Sequence, residues 1–309
     1  MRSSILGSGT PDVTTPTSSV VVRAAPRASR GLWGDALRRL LRNGPAIVGL
    51  VFIAIFVLAA VLAPIIAPYD PTIGVLVDGK QGPSAQHIMG TDLLGRDEFT
   101  RVLYGARISL TVGTVAVFFG LLFGCVIGAV AGGAGGALDG LLMRFIDVLL
   151  AVPGILLAIG IVAWLGQGQI QIMLAVGISY APIFARLLRG SLLALRESDY
   201  VMAARAMGAS PTRILLRHML PNALTPLIVQ ATLAAATAII DVAGLGFLGL
   251  GPGDPRVAEW GEMLTDSARF LQSAPYLIFF PGVAIVISAI GFNLLGDGLR
   301  EALDPRLKR

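Results

Sequence analysis

Apolar residues along this 309-residue chain gather into six runs, near 46–67, 108–131, 148–166, 170–188, 223–245 and 275–296, with the polar positions collected between them. A hydrocarbon core about 30 Å thick takes roughly 20 helical residues to cross, and each run is near that length. Backbone polar groups in lipid must be satisfied within the segment, and the runs lack the short alternation of a membrane barrel, so helices are predicted. The pattern predicts an all-α integral membrane protein with six transmembrane helices. Some 45 residues precede the first run, which is also too long for the apolar stretch of a leader, so it reads as a retained span.

Composition sets the solvent. With 55% hydrophobic residues, 14% charged residues and a mean hydropathy of +0.77, the chain has too little polar surface for a water-soluble globule. Charge then orients it. With the N-terminus in the cytoplasm, 18 basic residues fall inside or at the inner boundary and 6 outside, counting Arg186 with the former and Arg107 with the latter. That bias is the one the positive-inside rule expects. It places the 189–222 loop and the C-terminal tail, 298–309, in the cytoplasm, and the loops 68–107 and 246–274 outside. The net charge of +5 then reflects topology, and nucleic-acid binding is not expected, since no soluble domain interleaves basic and aromatic residues.

Residues 1–30, rich in Ser, Thr, Pro and Arg, cannot bury enough apolar area to fold alone and are expected to be disordered. Segment 31–45 puts Leu32, Trp33, Ala36, Leu37, Leu40 and Leu41 on one helical face, opposite Arg38, Arg39 and Arg42. It reads as a helix on the inner membrane surface, or as a cytoplasmic extension of the first span. The transmembrane domain follows over 46–297. Chemistry-bearing motifs are scarce: there is no phosphate-cradling G-x-x-x-x-G-K-[ST] loop, no H-E-x-x-H and no Ser/His/Asp set. His87 and His218 lack the spaced companions a metal site requires. Cys125 lies alone in an apolar run, so it is read as packing. No cofactor and no metal are expected.

One stretch between apolar runs is both basic and punctuated: Ser198 to Asn222. Tyr200, Ala203, Ala204 and Met207 recur at helical spacing, and the alanines leave room for a close approach. Gly208 can take the left-handed conformation that ends a helix. Ser210 and Pro211 then supply an N-cap and a first-turn proline for a second short helix through Arg213, Arg217 and Met219, which Pro221 is expected to end. An elbow of two short helices results, with the next span beginning after Asn222. A solvated interhelical loop is the plainer reading of its basic character.

The spacing of Ala203-Ala204, Gly208 and Leu220-Pro221-Asn222 resembles the coupling loop of permease subunits in ATP-binding-cassette importers. Met202 stands where that family usually has a glutamate, so a charge contact to the ATPase is absent or displaced; Arg205, Arg213 and Arg217 offer others. His87–Leu110, with its GTD and GRD triplets, is similar to the first outer loop of the peptide-importer branch. LGFLGLG with Glu259-Trp260-Gly261 is similar to its last outer loop, and Gly291–Arg309 to the terminal signature of its C-type subunit. The resemblance implies a type I importer permease architecture with cytoplasmic coupling helices. It implies a homologous B-type permease, two ATPase subunits and an extracytoplasmic peptide-binding protein as partners, and a di- or oligopeptide as cargo. A metal chelate or haem, carried by the same family, stays open.

Among residues with pathway potential, Asp92, Arg96 and Asp97 are read as organising the first outer loop through Asx turns and charge pairs, with Gly90 and Gly95 supplying turns; substrate contact is the alternative. Phe247 and Trp260 are expected at the pore-mouth interface. Asp241, 19 residues past Asn222 and so about 28 Å farther along a helix, is expected near the outer interface, either lining a vestibule and meeting a peptide's amino terminus or capping and pairing. Asp139, Arg144 and Asp147 are expected to form a salt-bridged inner boundary, and Pro153 and Pro182 to kink the third and fourth spans. A self-contained ion-coupled carrier is the competing class; it would call for acidic relays at mid-membrane and inverted repeats, which the sequence does not display.

Overall fold

The computed structural model describes residues 32–254 and 256–303. The tail read at 1–30 and the last six residues of the terminal signature lie outside them. Among the described residues there is no β-strand, and five helices are long and apolar enough to cross a membrane, or six if one sharply bent pair is a single span. The elements are α1 (Leu32–Leu40), α2 (Gly44–Ile66), α3 (Glu98–Ala134), α4 (Gly136–Leu150), α5 (Gly154–Leu165), α6 (Gln169–Arg196), α7 (Asp199–Ala206), α8 (Pro211–Leu250), α9 (Trp260–Ser267) and α10 (Tyr276–Leu303).

Several boundaries differ from those the hydropathy suggests, each for a local reason. Helix α3 begins ten residues early because Asp97 caps it, its Oδ2 accepting from Thr100 N at 2.8 Å. The presumed inner loop 132–147 is mostly helix: Gly135 and Gly136, at φ +67° and +62°, turn the chain sharply, and α4 starts at once. The third span is bent, as Pro153 predicts. Its halves, α4 and α5, meet at 93°, because Pro153 has no N–H to continue the ladder and its ring crowds the preceding turn. With 12 residues, or about 18 Å, α5 cannot cross the bilayer alone. By contrast, α6 runs unbroken through Pro182. Helix α10 likewise continues to Leu303, past the boundary drawn at 297 for a cytoplasmic tail.

Lipid tails are as apolar as leucine, so helices here associate through close backbone approach and dispersion contact. The central pair is α3 and α6. Gly120, Gly124, Gly128 and Gly132 form a ridge at four-residue spacing along α3. A Cβ on Gly124 would lie 2.5 Å from both the Ala181 carbonyl oxygen and Phe184 Cβ, and one on Gly177 of α6 would lie 2.8 Å from the Ala116 carbonyl. Helix α2 docks on α10 in the same way, a Cβ on Gly49 falling 2.6 Å from the Gly291 carbonyl. The rest of α2 is loosely covered, with Val61 and Ile65 67% and 80% exposed, as suits a lipid-facing helix. Helix α8 completes the core, setting Leu227, Ala234 and Ala238 against Val112, Val176 and Phe184.

Overpacking such a seam forces the backbones apart at a cost of about 1–3 kcal/mol. Gly124→Val is therefore expected to lower the detergent-solubilised unfolding midpoint by several degrees. The same change at Gly160, where nothing lies within 4 Å of an added Cβ, should leave it nearly unmoved. Equal effects at the two positions would contradict the close-packed seam.

Candidate functional site

The polar elbow between α6 and α8 is built as two arms. Ser198 closes α6, its hydroxyl donating to the Leu195 carbonyl at 2.5 Å, and α7 follows with Asp199 in its first turn. Val201 and Ala204, three residues apart, are buried against the core, while Tyr200, Ala203 and Met207 face out. The paired alanines are thus split between two faces, a correction to the single face expected of them: adjacent residues lie about 100° apart on a helix. Met202 and Arg205 are also exposed, and Met207 is 81% exposed.

Gly208 takes φ +78°, and nothing lies within 4 Å of where a Cβ would stand on it, so its role here is conformational rather than one of close approach. Its N–H donates to the Arg205 carbonyl at 3.0 Å, and Ala209 N to the Ala204 carbonyl at 3.1 Å, which closes the end of α7. Ser210 caps the second arm, accepting from Arg213 N at 3.4 Å, with Pro211 in the first turn.

That second arm is not a separate short helix. From Pro211 it passes through a π-helical turn, Ile214–Met219, directly into the span. Leu220 N donates to the Leu215 carbonyl, five residues back. The widened turn gives Pro221, which lacks an N–H and would crowd a normal turn, room to stay in the helix. Pro221 therefore does not end the arm, contrary to expectation. Asn222 ties the arms together, its Nδ2 donating to the His218 carbonyl at 2.7 Å and to Tyr200 Oη at 3.3 Å. Arg213, Leu216 and Arg217 join Met202, Arg205 and Met207 on the exposed side.

The base of the elbow is held by arginines that sequence spacing does not pair. Arg189 grips Asp139 through two bonds of 2.6 and 2.7 Å, Arg186 pairs with Asp147, and Arg196 donates to the Gly132 carbonyl at 2.9 Å. Their partners sit 50, 39 and 64 residues away, beyond the reach of any local pattern. Arg144, expected in the same boundary, is exposed.

At the opposite end, the first outer loop folds on its own charges. Asp92 Oδ1 accepts from Leu94 N and Arg96 N at 2.8 and 2.9 Å, and its Oδ2 meets Arg96 Nε at 2.6 Å and Arg101 Nε at 3.5 Å. Asp97 Oδ1 meets His87 Nδ1 at 2.9 Å. Gly90 and Gly95 take φ +83° and +74°. Asp92, Arg96 and Asp97 are all buried. The last outer loop folds inward as well. Trp260, expected at an interface, is fully buried: its indole N–H donates to the Val102 carbonyl at 3.0 Å and its ring meets Phe56 edge-on at 5.5 Å. Gly105 of α3 admits the ring, an added Cβ there lying 2.5 Å from it. Phe247 stays 49% exposed on the π turn that ends α8, where Gly249 takes φ +76°. Asp241, within α8, accepts from the Tyr180 hydroxyl at 2.7 Å.

Residues 124–309 match the profile of the inner membrane component of binding-protein-dependent transport systems, and residues 31–92 that of the N-terminal transmembrane domain of oligopeptide transport permease C. The chain belongs to the binding-protein-dependent transport permeases. A dipeptide transport system permease protein of Alkalihalophilus pseudofirmus is 49% identical over 89% of this chain and 90% of its own length. A glutathione transport system permease protein of Shigella flexneri serotype 5b is 48% identical over 92% and 93%. Among solved structures, the inward-facing MetNI methionine ABC transporter aligns at a TM-score of 0.56 and 22% identity, across 66% of this chain and 96% of that one. The permease thus has the type I importer fold and is a multi-pass membrane component of a transport system. A second permease, ATPase subunits and a binding protein are the partners its family implies.

At the end of the bundle opposite the elbow, one carboxyl of α9 titrates near neutrality. Burial, with Asp266 and Glu259 nearby, pushes the Glu262 carboxyl up to about 7 from an ordinary 4.5, and its Oε2 is buried without a hydrogen-bond partner. Burial also raises Glu259, whose oxygens accept from Ser109 Oγ at 3.0 Å and Glu262 N at 2.9 Å. Around pH 6 the folded chain keeps a proton on Glu262 that the unfolded chain releases, so this carboxyl's contribution to stability falls as pH rises from about 4.5 to 7. The thermal midpoint in detergent should decline over that window, and less steeply in Glu262→Gln. An identical pH slope in the variant would remove Glu262 as its source.

Proposed function

We propose that this chain is one of two permease subunits of an ATP-driven importer of di- and oligopeptides, supplying half the pathway and receiving the motor's motion through the 198–222 elbow. The observation that carries this reading is the continuity of the elbow's second arm with a membrane span: α8 runs from Pro211 to Leu250 without an intervening loop. A displacement of the elbow is then a displacement of the span. The exposed side of the elbow combines flexible thioethers at Met202 and Met207 with Arg205, Arg213 and Arg217, a surface suited to a groove with an acidic rim. Met202, where the family resemblance implies a glutamate, contributes apolar contact in place of a charge.

On this reading Tyr200, Ala203, Met207, Gly208, Ser210, Pro211, Leu220 and Pro221 shape or present the docking surface, and Ala204 anchors it from within. ATP hydrolysis belongs to the two ATPase partners. A homologous B-type permease completes the pathway, and an extracytoplasmic binding protein delivers the peptide. Both termini face the cytoplasm of a bacterial cell, an orientation supported by the distribution of arginine and lysine. Peptide cargo is supported by the dipeptide and glutathione permeases, each nearly half identical across nine-tenths of the chain. ATP-driven closure of the ATPases would shift the permease between outward- and inward-open states.

Gly208→Val tests the coupling. Left-handed backbone at a β-branched residue is strained by about 1–3 kcal/mol, while the open space around Gly208 keeps that strain local to the elbow. Peptide uptake should fall by about tenfold or more, with membrane insertion and ATPase activity retained and the ATPases still recovered with the tagged permease. Unchanged uptake would sink the coupling role, and a complex purified without ATPase subunits would sink the importer reading.

A further inference from the structure

Helix α8 carries a polar face that the elbow does not explain. Gln230, Thr237 and Asp241 are 7 and 11 residues apart and so nearly eclipsed on a helix of 3.6 residues per turn. Each is partly or fully exposed on the subunit. At its inner end the face opens onto two cavities that share Gln230, one of about 640 Å³ bordered by Arg186 and Ser191 and one of about 510 Å³ bordered by Pro226 and Arg300. At its outer end it holds a carboxylate.

Asp241 is deeper than the sequence suggests. Counting from Asn222 puts it near the outer interface, but α8 runs on for nine residues, about 14 Å, past Asp241 to its end at Leu250. Its partner Tyr180 stands 11 residues into the 28-residue α6, about 16 Å from the helix start. The acid is therefore near the middle of the bundle. The Tyr180 hydroxyl is 2.7 Å from Asp241 Oδ2 and 2.8 Å from Thr237 Oγ1, which fixes one carboxylate oxygen and a neighbouring hydroxyl on the same face. Asp139 and Asp147 have arginine partners. Among the described residues Asp241 has none within ion-pair distance, and Oδ1 takes no hydrogen bond. An unpaired carboxylate at this depth cannot face hydrocarbon without a large cost, so the α8 face looks into water or toward a cation.

We propose that Asp241, oriented by Tyr180, is the counter-charge in the pathway for the protonated amine of the passing peptide. The inference rests on the peptide-importer reading above. An ammonium group leaving bulk water loses hydration that only an anion and acceptor oxygens can replace. Asp241 Oδ1 supplies the charge and Thr237 Oγ1 an acceptor beside it, while Tyr180 is a positioning residue that sets the carboxylate's rotamer. Gln230 and the two inner cavities continue the hydrated route. A carboxylate that neutralises without binding tightly suits a pathway, where cargo has to leave as readily as it enters.

The test uses the assembled importer in proteoliposomes with its binding protein and a free-amine dipeptide. Asp241→Asn is expected to lower uptake by about tenfold, in line with loss of a charge-assisted hydrogen bond, with ATPase activity retained and Asp241→Glu restoring much of the rate. Cys125 is the one native cysteine, so Asp241→Cys in a Cys125→Ala background reads accessibility and charge together. The thiol should be modified by water-soluble methanethiosulfonates and protected by transported dipeptide. Uptake should recover several-fold with the anionic sulfonate reagent and stay low with the cationic trimethylammonium reagent of similar size. A thiol that neither reagent reaches, equal outcomes with the two reagents, or wild-type uptake by Asp241→Asn would each overturn the proposal. Failure of the parent reading looks different: the unmodified complex would hydrolyse ATP and take up no dipeptide.

Discussion

The bundle depends on α3 and α6 touching backbone to backbone. In a solvent that gives apolar side chains no reason to prefer each other over lipid, the glycine ridge at Gly120, Gly124 and Gly128 lets carbonyls and Cα atoms of facing turns come within van der Waals reach. Everything else is placed relative to that pair. Phe184 and Leu188 reach across it, α8 packs against both partners, and Trp260 enters because Gly105 leaves space for its ring farther out along α3.

Charge is used at the two ends of this seam and differently at each. On the elbow side, Asp139 with Arg189 and Asp147 with Arg186 clamp α4 to α6, so the sharply bent α4–α5 pair has a fixed base. These pairs are partly or wholly solvated, and their value is orientation more than energy. At the opposite end, Asp92, Arg96 and Asp97 are buried and consumed by loop geometry and helix capping. Their density there is explained by fold construction, whereas Asp241 lies among helices with no arginine or lysine within ion-pair distance among the described residues.

Much of this is legible in the sequence because lipid imposes a simple length rule and because glycine and proline punctuate strongly. Helix number, the turn at Gly208 and the cap at Ser210 follow from such local physics. The failures are equally physical. Hydropathy sees apolar length and misses that Asp97 can start a helix ten residues before the apolar run; the bend at Pro153 follows from proline chemistry as expected, whereas Pro182 lies within an unbroken helix. Pro221 reads as a stop signal, yet a π turn upstream absorbs it. The split of Ala203 from Ala204 and the arginine clamps depend on partners dozens of residues away, which no window contains. Residue type alone suggests an interface for Trp260, whereas the gap at Gly105 makes it a core residue.

The unbroken course of α8 carries a mechanical consequence. Close contact pins it to α3 at Ile239, where a Cβ on Gly113 would fall 2.8 Å from Ile239 Cγ1. From that fulcrum to Pro211 the rod is 28 residues, about 42 Å, and to Leu248, before the kink at Gly249, only 9 residues, about 14 Å. Under the proposed coupling it is a seesaw with arms in a ratio of roughly 3 to 1, so a swing at the cytosolic tip shrinks toward the outer tip and reverses sign. Asp241 sits two residues from the balance point, where the rod hardly travels, and the walls would pivot past a nearly stationary carboxylate.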